Sequence, residues 1–284
     1  MNSKWVIFSD VDGTIYPFPD KTLSDVNKNK VVELKTKGVD FVINTGNPPL
    51  EKIKRLAKEL NARYICCSNG AMIYDVEESK PIHIEYMNTE EAKKVWPIAE
   101  RTGVLLYYMG TDQYYLHGDY PKYREFLTTF NEYNDWIDDG RINDDLHKIE
   151  AYGEPEQVAE FYKQCKEANL DFEVVNILDK YVEITNHGVS KASGLKWLCA
   201  NVFDAKPEEV MAIGDSKNDV EMFKAVGYSY AMDNADAYTK SVAKYYTSAV
   251  EQDGLAEAID DYLYRTDVDL KRAISQGKIK PNHK

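Results

Sequence analysis

Trp5-Val6-Ile7-Phe8-Ser9-Asp10-Val11-Asp12-Gly13-Thr14 is a short, unbroken apolar run that stops on two carboxylates and a glycine. A run without polar alternation is how a strand covered on both faces of a parallel sheet reads. In an extended chain residues two apart lie on the same side, so Asp10 and Asp12 project together. Gly13 lets the backbone turn off the strand. At the carboxyl end of a parallel strand, such side chains point into the crevice where open α/β sheets bind ligands. Two neighbouring carboxylates repel each other and stay together when a cation sits between them or one keeps its proton. Both conditions suit phosphoryl transfer: one carboxylate attacks phosphorus and the other handles the leaving group's proton. Taken alone, the same spacing also describes a plain acidic turn.

The surrounding sequence supports a strand. Further short apolar runs, Val39 to Asn44, Tyr64 to Ser68, Val210 to Ile213, Tyr228 to Met232 and Tyr245 to Thr247, alternate with amphipathic segments. The latter are Ser24 to Lys37, Pro48 to Leu60, Lys191 to Phe203, Asp219 to Ala225 and Ala235 to Ala243. That alternation predicts right-handed βαβ crossovers and a doubly wound, Rossmann-like α/β core with a parallel sheet. The middle of the chain reads differently. A helix over Thr89 to Thr102 precedes a hairpin (Val104 to Met109, Gln113 to His117) and a helix over Tyr120 to Phe130. A strand over Leu146 to Tyr152, a helix over Pro155 to Ala168 and a second hairpin (Phe172 to Ile177, Tyr181 to Ile184) follow. Hairpins imply an antiparallel sheet with helices on one face, hence an inserted α+β domain over 84–185, with the core discontinuous over 1–83 and 186–265. Hinges are expected near Lys80 to Ile84 and Thr185 to Ser190, and weak periodicity makes 266–284 a tail with a basic end at Lys278, Lys280 and Lys284.

A second acidic cluster strengthens the first. Gly214-Asp215-Ser216-Lys217-Asn218-Asp219 follows the run ending at Ile213. Asp215 is placed to hold a hard divalent cation such as magnesium through oxygen, and Asp219, one helical turn on, can face the same point. A helix cap at Asp215 or Ser216 is the plainer alternative. Thr45-Gly46-Asn47 ends another strand, where a hydroxyl and backbone N–H groups can hold phosphate oxygens. Lys191 opens the helix that re-enters the core. A phosphate dianion with Asp10 and Asp215 sums to about −4, and magnesium with one lysine returns about +3, so both cations are needed for such a site to accept its substrate.

Composition narrows the partners. Of 284 residues, 35 are Lys or Arg and 48 are Asp or Glu, a formal charge of −13. That balance argues against nucleic acid, which calls for a basic face. No apolar run reaches the roughly 20 residues of a membrane helix, and Met1 to Lys4 leads into a run too short for a signal-peptide core. Cys66, Cys67, Cys165 and Cys199 form neither a disulfide framework nor a CxxC metal site, which points to a reducing cytoplasm. His83, His117, His147, His187 and His283 lack metal-ligand spacing and read as structural. Tyr107, Tyr108, Tyr114, Tyr115 and Tyr120 crowd the first hairpin; a pocket for a sugar or aromatic ring is one use for them, and half-buried strand residues with wet hydroxyls is the favoured reading.

Together, Asp10-Val11-Asp12-Gly13-Thr14, Thr45-Gly46-Asn47, Gly188-Val189-Ser190-Lys191 and Gly214 to Asp219 resemble, in order and spacing, the haloacid dehalogenase-like superfamily. More narrowly the chain is similar to the Cof-type, sugar-phosphatase-like hydrolases, whose large α/β cap is inserted after the third core strand. Ser68-Asn69-Gly70-Ala71 and Ala231-Met232-Asp233-Asn234-Ala235 also match that group. The resemblance implies a magnesium-dependent phosphatase, monomeric or homodimeric, acting on a small phosphorylated metabolite. It makes Asp10 the nucleophile that forms an aspartyl-phosphate and Asp12 the general acid and base. It makes Thr45, Gly46, Lys191 and Asn218 phosphate-binding, and Asp10, Asp12, Asp215 and Asp219 metal-binding, Asp12 through its backbone carbonyl. Asn47 stands where many relatives have Arg, and Asp233 where Gly is common; both weigh against a substrate with a second phosphate. A phosphotransferase or phosphomutase using the same intermediate, and a non-catalytic phospho-acceptor module, remain as alternatives.

Overall fold

The computed structural model describes residues 5–177 and 180–277. Its strands in chain order are β1 (Val6–Ser9), β2 (Asp40–Asn44), β3 (Tyr64–Cys67), β4 (Met72–Asp75), β5 (Lys80–Ile84), β6 (Leu105–Met109) and β7 (Tyr114–His117). They continue with β8 (Lys148–Tyr152), β9 (Glu173–Ile177), β10 (Tyr181–Thr185), β11 (Val210–Gly214), β12 (Tyr228–Met232) and β13 (Tyr245–Thr247). The helices are α1 (Asp25–Leu34), α2 (Glu51–Glu59), α3 (Thr89–Ala92), α4 (Val95–Thr102) and α5 (Pro121–Asn131). After them come α6 (Pro155–Glu167), α7 (Lys191–Leu198), α8 (Val220–Ala225), α9 (Ala237–Val242) and α10 (Gly254–Ser275). One compact unit is built from the chain up to Asn44, Glu59–Ala62 and the chain from Leu195 onward; another is built from Thr45–Lys58 and Arg63–Gly194.

In the first unit parallel strands run in the order β13-β12-β11-β1-β2. Every residue of β1 is fully buried, as its unbroken apolar sequence predicts. The order reverses at β1, with β2 on one side and β11 to β13 on the other. That reversal is the topological switch point, where the loops after adjoining strands diverge and leave a crevice. The register Ser9↔Ile213 aligns the ends of β1 and β11, and the Asp10 N–H donates to the Ile213 carbonyl at 3.0 Å. Ser24 caps α1 as expected, its hydroxyl accepting the Asn27 N–H at 3.1 Å. Helices α1 and α10 pack together, and buried Asn27 ties them by accepting the Ala256 N–H at 3.0 Å.

The tail expected from residue 266 starts later. Helix α10 runs on to Ser275, and Thr266 is buried, its hydroxyl donating to the Tyr262 carbonyl at 3.0 Å. The apolar stripe thins past Tyr262, which is why periodicity lost the helix there. Lys278, Lys280 and Lys284 lie outside the described residues.

The second unit contains an antiparallel ribbon, β3-β4-β5, and a five-stranded antiparallel sheet ordered β7-β6-β8-β10-β9. The hinge expected near Lys80 to Ile84 is strand β5, paired with β4 from Met72↔Ile84 to Asp75↔Lys80. The four-residue run of β4 is too short to announce itself, and without it β5 has no visible partner. The helix expected over Thr89 to Thr102 is split into α3 and α4. Pro97 lacks the N–H and its ring opposes the carbonyl of residue 93, so an uninterrupted helix is excluded there. Alternation then separates the faces of the sheet. Leu106, Tyr108, Ile149, Ala151, Val182 and Ile184 pack with Val95, Ile98 and Ala99 of α4 and with Val158, Phe161 and Cys165 of α6. Trp96 closes on Tyr108 edge to face, with centroids 4.8 Å apart. Tyr107, Tyr108, Tyr114 and Tyr115 are fully buried rather than half-buried. Tyr108 and Tyr115 stack at 4.9 Å on the helix side, and the Tyr108 hydroxyl donates to the Arg141 carbonyl instead of water.

His147, fully buried, places Nε2 3.0 Å from the Ser68 hydroxyl. Burial pushes this imidazole down to about 4 and the Lys148 charge adds to that, against the opposing pull of Asp145. The folded protein therefore holds it neutral in a range where the unfolded chain takes up a proton. Its contribution to stability is complete above about pH 6.5 and is lost as pH falls toward 4, to a total of about 3 kcal/mol. His147→Gln should flatten this arm. In urea unfolding, the wild-type advantage over the variant should shrink by about that amount between pH 7 and pH 4; an advantage independent of pH would show that His147 is not held neutral.

Candidate active site

The end of β1 is locked by its own backbone. After Asp10 the chain closes a tight turn in which the Thr14 N–H donates to the Val11 carbonyl at 3.2 Å and the Gly13 N–H to the Tyr16 carbonyl at 2.9 Å. Gly13 has φ +85°, and a Cβ there would fall 2.3 Å from Asp215 Oδ2. The glycine is thus needed twice, for the left-handed turn and for the close approach of the second acidic loop. Asp10 is buried and Asp12 half-buried. The Thr14 hydroxyl lies 3.4 Å from Asp10 Oδ2.

The loop after β11 is held the same way. Asp219 is fully buried; its Oδ2 accepts the N–H groups of Asp215 and Ser216, both at 3.0 Å. The Ser216 hydroxyl donates to Asn218 Oδ1 at 2.8 Å. A Cβ at Gly214 would lie 2.2 Å from the Asp219 carboxyl carbon, so only glycine lets that carboxylate fold back under the strand end. Ser216 caps the helical turn Lys217–Asp219 through a reciprocal capping box with Asp219, so the helix-cap reading holds for Ser216, and it leaves carboxylate oxygens of the loop able to face a cation. Asp10, Asp215 and Asp219 each offer a carboxylate oxygen, and these oxygens lie within 4.8 Å of one another. Three hard oxygen donors converging at a strand end suit a cation of magnesium's type. The donor set is carboxylate only, without the sulfur or imidazole that would favour zinc.

Asn234 is the residue that motif reading quoted without a role. It follows β12, and its amide nitrogen donates to the Gly13 carbonyl at 2.8 Å and to Asp215 Oδ2 at 3.3 Å. Its amide oxygen accepts the Val250 N–H at 3.0 Å. It bridges the two acidic loops, and the signal for it was its place just past another buried strand. Asp233, expected to add charge at the site entrance, pairs with Lys240 at 2.7 Å.

Thr45, Gly46 and Lys191 belong to the second unit. Thr45 is buried, and its hydroxyl oxygen accepts the Asn47 N–H at 3.1 Å and the Asn47 amide at 3.2 Å. The Thr45 N–H goes to the Cys66 carbonyl at 2.8 Å. Two of the turn's three backbone donors are thus committed inside the protein, more than the sequence suggests. The turn is stitched to the next loop: Asn69 N–H donates to Thr45 O at 3.0 Å and Ser68 N–H to Asn47 O at 2.9 Å. Lys191 is fully buried at the start of α7. Burial pushes the Cys66 thiol up to about 12, against the opposing charge of Lys191. All four cysteines are buried free thiols. No described helix is long and apolar enough to cross a membrane.

The haloacid dehalogenase-like hydrolase family matches residues 7–259 of the chain. Over 256 residues the chain is 28% identical to the 5-amino-6-(5-phospho-D-ribitylamino)uracil phosphatase YcsE of Bacillus subtilis (strain 168), spanning 89% of this chain and 94% of that protein. It is 26% identical to the putative phosphatase YkrA of the same organism over 269 residues, 92% of this chain and 98% of that one. In three dimensions it is similar to a haloacid dehalogenase-like hydrolase from Bacteroides thetaiotaomicron, with a TM-score of 0.81 and 24% identity over 92% of this chain and 99% of that one.

Proposed function

This chain belongs to the haloacid dehalogenase-like hydrolase family and is a phosphatase, and we propose that it hydrolyses a small phosphomonoester, with magnesium, through an aspartyl-phosphate on Asp10. The observation that carries the reading is the convergence of the Asp10, Asp215 and Asp219 oxygens at the ends of adjoining parallel strands. The Asp10 carboxylate attacks phosphorus. Asp12, two residues on, gives its proton to the departing oxygen and afterwards takes one from the water that cleaves the acyl phosphate. Thr45, Gly46, Lys191 and Asn218, at the positions of the family's motifs, hold the phosphoryl oxygens. Asn234 keeps the two acidic loops in register. A cation held by Asp10, Asp215, Asp219 and the Asp12 carbonyl would offset the negative charge that gathers in the transition state. Residues 84–185 would act as the cap that excludes water, and 1–83 with 186–265 as the core.

The reading is tested by phosphate release from a panel of phosphorylated metabolites with magnesium present and absent. Release that needs magnesium and yields free phosphate is expected. Transfer of the phosphoryl group to a second metabolite without release would make the protein a phosphotransferase. A phosphoenzyme that forms and never turns over would make it an acceptor module.

A further inference from the structure

No step of the proposed reaction uses Ser68-Asn69-Gly70, yet its backbone is strained. The three residues have φ of +50°, +54° and +96°, left-handed one after another. Serine is uncommon in that region, and strain of this kind persists only where the surroundings impose it. Here they do so from two sides. On one side the Ser68 N–H donates to the Asn47 carbonyl at 2.9 Å and the Asn69 N–H to the Thr45 carbonyl at 3.0 Å, which fixes the turn against residues 45–47. On the other side lies the start of α7. A Cβ at Gly70 would fall 2.1 Å from the Ser190 carbonyl oxygen and 3.2 Å from the Gly194 nitrogen. A Cβ at Gly194 would fall 2.2 Å from Cys66 Sγ and 3.0 Å from the Gly70 Cα. The two backbones meet glycine on glycine, with no room for a methyl group between them.

Helix formation does not explain Gly194. It stands in the interior of α7, where alanine is the better helix former. Nor is the start of that helix loose enough to give way. The Ser190 carbonyl accepts the Ser193 N–H at 2.9 Å and the Gly194 N–H at 3.2 Å, and the Ser190 N–H donates to the Ser193 hydroxyl at 3.0 Å. Ser190 directly precedes Lys191, so whatever displaces the Ser190 carbonyl displaces the buried lysine with it.

We propose that Gly70 and Gly194 are positioning residues for phosphate: the Ser68–Gly70 turn is a spacer one backbone thick, and it sets how close Lys191 stands to the turn at 45–47. The inference rests on the reading of Thr45, Gly46 and Lys191 as phosphate-binding. Two of that turn's three backbone donors are committed inside the protein, so capture of a dianion leans on the lysine charge. An ammonium group acts most strongly on a phosphate oxygen at hydrogen-bond distance, and a displacement of about 1 Å forfeits much of that. Glycine on both faces gives the thinnest spacer a polypeptide can build.

The test measures the inhibition constant of inorganic phosphate against hydrolysis of p-nitrophenyl phosphate. That constant reports only on molecules that turn over, so a misfolded fraction lowers the apparent kcat and leaves it unmoved. Lys191→Met should raise it by at least about tenfold, and Gly70→Ala and Gly194→Ala by about tenfold each. The methyl group of Gly194→Ala meets a sulfur that can be removed. Adding Cys66→Ala should therefore bring the constant back to within about threefold of wild type. Cys66→Ala should not rescue Gly70→Ala, whose methyl group meets backbone; the Gly194 pair decides the matter if Gly70→Ala does not fold. Glycine variants with the wild-type constant, or a loss in Gly194→Ala that Cys66→Ala does not relieve, overturn the spacer and leave the phosphate reading standing. A wild-type constant in Lys191→Met overturns the phosphate reading of that lysine, and the spacer with it.

Discussion

Replacing Asp10 by Asn lowers phosphate release by at least about 10,000-fold, while the protein folds as before. Loss of a covalent nucleophile removes the reaction path instead of weakening one contact among several, and such losses run to several powers of ten. The exchange keeps the shape of the side chain and one oxygen. The Asp10 N–H bond to Ile213 and the turn at Gly13 use backbone atoms only, so neither is disturbed. The variant should melt within a few degrees of wild type and form no acid-stable phosphoenzyme. Asp12→Asn should behave differently. It keeps the nucleophile, so with an aryl phosphate, whose leaving group needs little protonation, a phosphoenzyme should accumulate and then decay slowly. Wild-type turnover by the Asp10 variant would refute the assigned nucleophile.

The second large effect concerns the acidic triad, where two of the carboxylates are expected to part company. Asp215 is half-buried, and the bond to it from Asn234 is a long one. Asp215→Asn should raise the magnesium concentration needed for half-maximal activity by at least about 100-fold, with little change in stability in the absence of metal. Asp219 also carries structure, because its Oδ2 receives the N–H groups of Asp215 and Ser216. Asp219→Ala should raise the metal requirement and, with EDTA present, cost about 1–3 kcal/mol of unfolding free energy as those donors lose their acceptor. Magnesium titrations of activity beside urea unfolding in EDTA separate the two roles. Equal stability losses in both variants would mean that Asp215 too is mainly structural.

Reading by sequence succeeded where local rules suffice. An apolar run ending in carboxylates and glycine marks the carboxyl end of a buried parallel strand, and Asp10 and Asp215 satisfy that rule independently. Parallel neighbours place their carboxyl ends at the same edge, so pairing β1 with β11 brings together residues 205 positions apart. Asn234 escaped because an asparagine after a strand has many ordinary uses. It acquires its role only when the Gly13 carbonyl and Asp215 are both within its reach. Strand β4 escaped because four residues carry too little pattern, and the break between α3 and α4 because the apolar spacing continues across it.

The chain order alone therefore determined the acidic loops and the parallel core, since each depends on side chains adjacent in sequence and on a strand's fixed period. What tertiary structure decided is the character of the other sheet's polar face. Glu150 and Lys148 look, in sequence, like the solvated side of an antiparallel strand. Both are buried, and Lys148 is bonded to the Gly46 carbonyl 102 residues away and to Glu183 35 residues away, while Asn69 reaches Glu183 across 114 residues. A charge's environment is set by what surrounds it in space, and alternation along a strand records only which side it is on.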